Sequence, residues 1–321
     1  MRKIQIFGIV CRLILLIVLF LPACSNRNNS NPGINKIKIA VIYYAPEPAV
    51  EILIQGLING LKEFGYEQNK NIDITFKHCA GDVTALPPIM LETDALEYDL
   101  AVPLSTPCLV SAIKNLKKTP IIFSYVSDPL AAGAGKSYTD HPSNITGVGS
   151  FDPYKESIDL ILSLFPNTQS IGTIYNSSEI NSQKVIEAVR NYCAEKKIKL
   201  EEITVVSSND ISQAIQSLVI KKIDVFYGFS DNTLTTGFDA VIKTTEKYNI
   251  PVVSNVAEYI DSGPLAAIGF GWYKVGVRTS AKIRSYLTGT KISAIPIENY
   301  SEPVISINKN QAERFKVRQG E

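Results

Sequence analysis

Short hydrophobic runs alternate with longer amphipathic stretches from Lys36 onward, after a separate apolar block near the N-terminus. The short runs are rich in Val, Ile and Tyr and are continuously apolar, which is typical of parallel strands buried on both faces. Strands that alternate with helices predict an α/β architecture with covered parallel sheets. The predicted strands are 37–44, 72–76, 99–104, 120–125, 170–175, 201–206, 223–229 and 250–254. The predicted helices are 49–64, 82–97, 106–117, 181–195, 210–221, 234–247 and 272–288.

One strand–loop–helix unit occurs twice, which indicates two similar Rossmann-like lobes. The stretch "IAVIYYAPEPAV" (39–50) has the same layout as "IGTIYNSSEINS" (171–182). Residues 126–153 are rich in Gly, Ser, Asp and Pro, so we interpret them as a loop and crossover that enters lobe two near 145–149. The expected division is 36–147 plus 266–293 for lobe one, and 148–265 plus 294–321 for lobe two. Three crossings between the lobes would form a hinge.

Three local features conflict with this pattern or invite another interpretation. Pro87 and Pro88 lie inside the predicted helix 82–97 and should break or kink it. Pro103 lies near the end of a predicted strand, where it removes a ladder donor. Gly56 and Gly60 are four residues apart in a predicted amphipathic helix, where we expect them to allow close packing on the sheet.

The N-terminus has the layout of an export signal. A positive start, "MRK", precedes the unbroken apolar run 13–21, and "LPAC" and a polar segment follow. The run is shorter than the ~20 residues that span a bilayer. The Leu-x-Ala-Cys ending resembles a bacterial lipoprotein signal, which implies cleavage of residues 1–23, acylation of Cys24 and a flexible linker over 24–35. The alternative is an uncleaved anchor helix from Ile4 to Leu21, and both place residues 36–321 outside the cytoplasm.

Composition and cysteine count narrow the function classes. The formal charge is +1 with no basic stripe, which gives nucleic-acid binding little support. Only two histidines are present, His78 and His141, and neither lies in a Cys/His cluster, so we expect no metal and no cofactor. No Gly-x-Ser-x-Gly elbow occurs, and "AAGAGKSY" (131–138) lacks the first glycine of a phosphate loop, so we expect no enzyme activity.

Three cysteines remain after a lipoprotein signal is removed and Cys24 is acylated. They are Cys79, Cys108 and Cys193, an odd number that excludes a complete disulfide framework. We expect free buried thiols, with a Cys79–Cys108 bridge as the alternative, because both residues should lie at one edge of lobe one.

Short polar side chains follow nearly every predicted strand. Ligands of open parallel sheets bind at the carboxyl ends of the strands. Helix capping is the competing explanation, because Ser, Asn, Asp and Thr are also preferred at helix starts. Both can hold, since a helix N-terminus suits a ligand carboxylate and Asp231 suits an ammonium. The candidate binding residues are Tyr43, Tyr44, Ser105, Thr106, Ser127, Asp128, Asn176, Ser177, Glu179, Asn181, Ser182, Asp231, Asn232, Thr233 and Asn255.

A series of short motifs then resembles a known family in order and spacing over roughly 36–310. The motifs are "IIFSYVSDPLAAG", "SNITGV", "IGTIYNSSEINS", "VSSNDISQA", "SDNT" and "IPVVSN", followed by "GPLAAIGFGWYKVGVRTSAKI". They resemble the ABC-transporter substrate-binding lipoproteins of the tryptophan/tyrosine-type uptake family. The resemblance implies a type I periplasmic-binding-protein fold that closes on a small ligand, without enzyme activity.

The resemblance also assigns individual positions. The family's Tyr-Asn-x-x-Glu-x-Asn-Ser motif matches Tyr175, Asn176, Glu179, Asn181 and Ser182. Its Asp-Asn-Thr matches 231–233, its Thr-Pro matches 106–107 and its Asp-Pro matches 128–129. The family's first loop often carries Glu-His-Pro, whereas this chain has Pro46-Glu47-Pro48, so Tyr43 and Tyr44 could supply ring stacking instead.

The sequence therefore predicts a solute-binding protein of an ABC importer that is lipid-anchored in the cell envelope, outside the cytoplasm. Its expected ligand is an aromatic amino acid. Its expected partners are the small ligand, the membrane permease and, through Cys24, the lipid bilayer, with the protein itself a monomer. Two alternatives stay open. The same fold could bind an aliphatic amino acid, a purine or a nucleoside, or it could act as a ligand-sensing receptor.

Overall fold

The computed structural model describes residues 36–317, which fold around two six-stranded sheets. The first sheet has the order β11-β5-β4-β3-β1-β2 and the second the order β12-β10-β9-β8-β6-β7. The strands of the first sheet are β1 (Ile37–Tyr43), β2 (Ile72–His78), β3 (Leu100–Leu104), β4 (Ile121–Val126), β5 (Ile145–Gly149) and β11 (Glu298–Asn299). Those of the second are β6 (Ser170–Asn176), β7 (Lys199–Val205), β8 (Val225–Gly228), β9 (Val252–Ser254), β10 (Ala266–Gly269) and β12 (Val304–Ile307).

Helices cover both sheets. They are α1 (Pro48–Glu63), α2 (Leu86–Ala95), α3 (Thr106–Asn115), α4 (Tyr154–Leu164), α5 (Ile180–Glu195), α6 (Ile211–Ile220), α7 (Asn232–Thr236), α8 (Phe238–Lys247), α9 (Trp272–Leu287) and α10 (Lys309–Arg314). Neighbouring strands are parallel except for β12, which runs antiparallel to β10. The predicted α/β architecture with parallel sheets is confirmed.

Each strand is apolar throughout because each sheet has a hydrophobic core on both faces. In β1, Ile39 and Val41 belong to one buried cluster, while Ala40 and Ile42 belong to another. The second sheet separates two further clusters in the same way. Successive side chains of a strand point to opposite faces, so a strand with two buried faces needs no polar positions.

The chain passes between the two sheets three times, a few residues from the predicted positions. The expected crossover near 145–149 is strand β5 of the first sheet, so lobe one continues to Gly149 instead of ending at residue 147. Likewise β10 pairs with β9 of the second sheet, although residues 266–269 were expected in lobe one. Strand β11 pairs with β5, so the final crossing follows Asn299 and not residue 293. Strand β5 is not predicted from its sequence, "ITGVG", because two of its five residues are glycine, which is uncommon in strands.

The structure accommodates the three prolines in two different ways. Pro87 and Pro88 lie in the first turn of α2, where missing N–H groups cost little, so the predicted helix begins at Leu86 and not at residue 82. Pro103 is accommodated inside β3, between β1 and β4. On the β4 side, Ala101 donates its N–H to Pro120 and Ser105 donates to Ser124. Pro103 lies between these two donors, so its cost is one ladder bond.

Helices α1 and α9 pack closely through glycine. A Cβ at Gly56 would lie 2.1 Å from the carbonyl oxygen of Tyr273, and one at Gly276 would lie 2.1 Å from that of Leu53. The expected close packing at Gly56 is therefore present, but its partner is helix α9 and not the sheet. Since α9 follows the second crossing, this contact fixes the returning chain on lobe one.

The three cysteines in the described part of the chain, Cys79, Cys108 and Cys193, are free and buried, as expected. Within residues 36–317, no helix is both long and apolar enough to cross a membrane. Cys24, the signal segment 1–23 and the linker up to residue 35 lie outside the described residues.

Candidate functional site

The polar loops at the carboxyl ends of both sheets meet at a cavity between the lobes, which we call the polar cavity. Lobe one contributes one wall, with Thr106 at the start of α3, Tyr125 and Ser127 after β4, Ser150 after β5 and Trp272 at the start of α9. Lobe two contributes the other. Its lining residues are Asn181, Ser230, Asp231, Asn232, Thr235, Asn255 and Val256.

Asp231 is a buried carboxylate that caps helix α7. Its Oδ1 accepts the N–H of Leu234 at 2.7 Å, and its Oδ2 accepts the Ser182 hydroxyl at 2.6 Å and the Asn176 N–H at 2.7 Å. The side chain is 2% exposed. Burial, reinforced by the nearby Glu179 carboxylate, raises the pKa of Asp231 to about 7. Asp231 is thus a helix cap and also a carboxylate without a basic partner.

Glu179 occupies the same helix end from the loop after β6. Its carboxylate accepts the Thr233 hydroxyl at 2.9 Å, the Thr233 N–H at 3.2 Å and the Asn232 N–H at 3.2 Å. The free N–H groups of the α7 N-terminus are therefore taken by Asp231 and Glu179 of the same lobe. This helix end is not open to a ligand carboxylate, contrary to the expectation from the sequence.

Asp152 organises the other half of the lobe-two wall, although it follows β5 of the first sheet. It accepts the hydroxyls of Tyr227 at 2.9 Å and Ser230 at 2.7 Å, the Ser230 N–H at 2.9 Å and the Asn255 amide at 3.1 Å. Burial raises its pKa. Sequence analysis missed Asp152 because residues 145–149 were interpreted as a crossover. Recognised as a strand, they would have marked Asp152 as one more polar residue after a strand end.

The lobe-one wall is neutral and aromatic. The rings of Tyr125 and Trp272 lie 4.5 Å apart, and Trp272 stacks on Phe270 at 4.4 Å. Tyr125 has the left-handed φ of 59°, an unusual conformation for a bulky residue that points its ring across the end of β4. No sequence pattern marks either ring, because Tyr125 lies inside a predicted strand and Trp272 lies in a segment after the second series of strands.

Four buried polar atoms of this cavity have no hydrogen-bond partner. They are Ser150 Oγ, Asn181 Oδ1, Asn255 Oδ1 and Trp272 Nε1, and all four side chains are more than nine-tenths buried. Both amides are oriented by their donors, since Asn181 donates to the Ser230 carbonyl at 3.0 Å and Asn255 donates to Asp152. A buried polar atom left unpaired costs about 1–3 kcal/mol. Two acceptors, a donor and a hydroxyl facing one cavity indicate a site for a polar ligand.

Eleven of the fifteen candidate residues predicted from the sequence lie in or directly behind the walls of the cleft, in three groups. Thr106, Ser127, Asn181, Asp231, Asn232 and Asn255 line the polar cavity. Tyr44, Asn176 and Glu179 line an adjoining compartment that also touches Thr106 and Asn181. Ser182 and Thr233 lie behind these walls, where they donate to Asp231 and Glu179.

Four predicted residues lie outside both spaces. Tyr43 packs on His78 with ring centroids 5.3 Å apart, so it does not stack in the cleft. Asp128 accepts the Ala131 N–H at 3.0 Å in its own loop. Ser177 is exposed, and Ser105 is a buried residue with a φ of 92° whose hydroxyl lies behind the start of α3.

The lobes touch at both sides of the polar cavity. Burial raises the pKa of Tyr44 of lobe one, with the Glu179 carboxylate of lobe two adding to the rise. On the other side, burial raises the pKa of Glu47 to about 7, opposed by the Tyr125 hydroxyl and reinforced by Glu258 of lobe two. Because residues of both lobes also line the same two spaces, the structure is a closed arrangement of the lobes. Among residues 36–317, no group of three His, Cys, Asp or Glu side chains could hold a metal ion.

Comparison with known proteins agrees with this geometry. The family model of ABC transporter substrate binding proteins matches residues 38–321, so the chain belongs to that family. A "Tyrosine-binding protein" of Clostridioides difficile is 29% identical over 286 residues, covering 89% of this chain and 83% of the relative.

Two solved structures bear on the arrangement of the lobes. An ABC domain from Streptococcus pneumoniae in complex with L-Trp is 27% identical, with a TM-score of 0.84 over 88% of this chain and 95% of the other. The ligand-free, open structure of a Clostridium difficile substrate-binding protein with adhesive properties is 28% identical, with a TM-score of 0.68 over 88% and 96%. At nearly equal identity, this chain superposes better on the complex, which agrees with its closed lobes. The fold is that of a type I periplasmic binding protein.

Proposed function

We propose that this substrate-binding protein captures an aromatic amino acid between its two lobes, with the charged groups of the ligand at the polar cavity, and presents it to an ABC permease. The observation that carries the proposal is the set of four unpartnered polar atoms in one cavity between closed lobes. The tyrosine and tryptophan bound by the two relatives support the ligand class.

The lobe-two wall suits the ligand's ammonium group. An ammonium has three N–H donors and no acceptor. The wall offers Asn181 Oδ1, Asn255 Oδ1 and the Asp231 carboxylate, which uses three of its roughly four acceptor sites within the protein. The positive charge would also favour the ionised form of Asp231, whose pKa is raised in the absence of a cation.

The lobe-one wall suits the carboxylate and the ring. Trp272 Nε1 donates, Ser150 and Thr106 carry hydroxyls, and the N-terminus of the ten-residue helix α3 favours negative charge. The adjacent rings of Tyr125 and Trp272 offer an apolar surface to an aromatic side chain. Burying such a ring removes ~150–250 Å² from water, which contributes ~4–6 kcal/mol.

A ligand screen tests the proposal. The full chain, purified in detergent and dialysed exhaustively, should show a higher melting temperature with tyrosine, tryptophan or phenylalanine. A ligand at 100 times its Kd adds about 2.7 kcal/mol of stability. A protein that responds to a nucleoside or an aliphatic amino acid, and to no aromatic amino acid, would refute the ligand class and leave the family assignment intact.

We also propose that the chain is an acylated, monomeric lipoprotein anchored through Cys24. The support is the apolar run before "LPAC" in a protein of an extracytoplasmic family. Stable anchoring needs more than one acyl chain, which an N-terminal lipidated cysteine supplies. Cys24→Ala should release the protein from membranes or leave an unprocessed precursor. Mass spectrometry that finds an unmodified Cys24 thiol in native material contradicts the anchor.

A further inference from the structure

The closed cleft has a second space, which we call the outer compartment. It adjoins the polar cavity at two shared lining residues, Thr106 of lobe one and Asn181 of lobe two. Its volume is about 550 Å³, against about 30 Å³ for the polar cavity. The closed lobes therefore enclose little free space around the polar atoms and leave a much larger space beside them.

Apolar side chains from both lobes face this compartment. Val83 belongs to the segment before α2, Leu86 to the first turn of α2, Val110 to α3, Ile180 to the start of α5 and Val206 to the loop after β7. Val206 is 83% exposed and Val83 is 48% exposed. Exposed valines on facing walls of a cleft lose water contact only when an apolar group enters between them.

One basic residue faces the cleft among several acidic ones. Asp231 lines the polar cavity, Glu179 and Asp82 line the outer compartment, and Lys114 is the one basic residue among those lining either space. Within the described part of the chain, Lys114 forms no ion pair. A ligand with an ammonium at one end and a carboxylate at the other would complement both ends.

Helix α3 sets the length of that ligand. Thr106, Val110 and Lys114 are spaced four residues apart, so they share one face of the helix. At ~1.5 Å per residue, Lys114 lies about 12 Å along the axis from Thr106. A free amino acid is too short to reach both ends. Two extended residues span about 7 Å, and the flexible lysine side chain can cover the remainder.

We propose that the cleft also binds a dipeptide whose second residue is apolar. Its first residue occupies the proposed amino-acid site, with its ammonium group at the polar cavity, so the inference rests on the proposed function. Its second side chain lies between Val83, Val110 and Val206, and its terminal carboxylate pairs with Lys114. The neutral donors of the lobe-one wall then receive the peptide carbonyl in place of a free carboxylate.

Calorimetric titration with three ligands tests this placement: tyrosine, tyrosyl-leucine and tyrosyl-leucine amide. The full wild-type chain should bind all three. Lys114→Gln should lower the affinity for tyrosyl-leucine at least fivefold. It should change the affinity for tyrosine and for the amide by no more than twofold, because these two ligands place no carboxylate at residue 114. Lys118→Gln is the matched control, since Lys118 is an exposed lysine just after the same helix and lines neither space. It should change nothing.

A second pair of variants tests the apolar wall. Val206→Ser should lower the affinity for tyrosyl-leucine about threefold and leave the affinity for tyrosine unchanged. Ile220→Ser should change neither affinity. Ile220 is a suitable control because it is 81% exposed on the same lobe and lies outside the cleft.

The outcomes separate this inference from the proposed function. Binding of tyrosine without tyrosyl-leucine overturns the dipeptide and leaves the amino-acid site standing. An equal loss of affinity for tyrosine and for tyrosyl-leucine in Lys114→Gln also overturns the dipeptide proposal. Binding of tyrosyl-leucine without any free aromatic amino acid supports the dipeptide and refutes the proposed ligand, whereas failure of both ligands refutes both proposals.

Discussion

The two walls of the polar cavity are built from similar strand-end loops but differ in charge and in how far their polar groups are satisfied. The lobe-two wall carries Asp231, with Glu179 and Asp152 behind it, and nearly every oxygen of these carboxylates accepts a bond from its own surroundings. The lobe-one wall is neutral, with two adjacent aromatic rings and the unpartnered Trp272 Nε1 and Ser150 Oγ. The difference teaches that the carboxylates of one wall are held in place before a ligand arrives, while each wall keeps two unpartnered polar atoms for the ligand to satisfy.

A pair of Asp-Pro dipeptides gives the largest test of this difference. Asp152 accepts four hydrogen bonds at the lobe-two wall, whereas Asp128 accepts one in its own loop. Asp152→Ala leaves several buried donors unpaired and should lower the free energy of unfolding by about 3 kcal/mol or more. Asp128→Ala should cost less than about 1 kcal/mol. Urea denaturation of both variants checks this, and equal losses would show that Asp152 does not organise the wall.

The second test separates the two roles of Asp231. Asn caps a helix about as well as Asp, so Asp231→Asn should keep the bond to Leu234. It removes the charge that meets a ligand ammonium, which should cost at least about 2 kcal/mol of binding, a loss of roughly thirtyfold. Asp210→Asn is the matched control, because Asp210 forms a capping box with Ser207 outside the cleft. If calorimetry gives Asp231→Asn the affinity of wild type, Asp231 is only a helix cap.

The lobe-one wall is tested by Trp272→Phe. The change removes the unpartnered Nε1–H and keeps a ring beside Tyr125 and Phe270. Ligand affinity should fall about fivefold, near 1 kcal/mol, whereas the unliganded protein should keep its stability because no hydrogen bond is lost from it. If the free energy of unfolding of the unliganded protein falls as much as the free energy of binding, Trp272 contributes packing alone.

A further test concerns the pH dependence of stability. The pKa of Asp231 is raised to about 7 in the folded protein, above its ordinary value of 3.8. Its contribution to stability is therefore complete below about pH 4 and is lost as the pH rises through 7. Unfolding of the unliganded protein, followed from pH 4 to 8, should show a shallower decline in Asp231→Asn than in wild type. Parallel curves for the two proteins would show that ionisation of Asp231 does not destabilise the folded protein.

Much of the fold follows from the sequence because its physical causes are local. Continuous Val- and Ile-rich runs separated by helix-length segments predict parallel strands buried on both faces, and β1, β3, β4 and β6 lie within a residue or two of their predicted positions. Strands β5, β10, β11 and β12 are absent from the prediction. Of these, β5 has two glycines in five residues, and its strand character comes from pairing with β4 and not from local preference. Helix α2 started later than predicted because Pro87 and Pro88 fit only its first turn.

The sequence by itself determined that short polar residues follow the strand ends, and therefore that Asp231, Asn181, Asn255 and Thr106 would gather at one edge of the sheets. Only the tertiary structure decided which of them face a ligand. Asp231 and Glu179 cap α7 from two different loops, Asp152 crosses from the first sheet to bond Ser230, and Tyr125 and Trp272 meet across 147 positions of sequence. No local pattern encodes such pairings, because each depends on where distant strands end relative to one another once both lobes have folded.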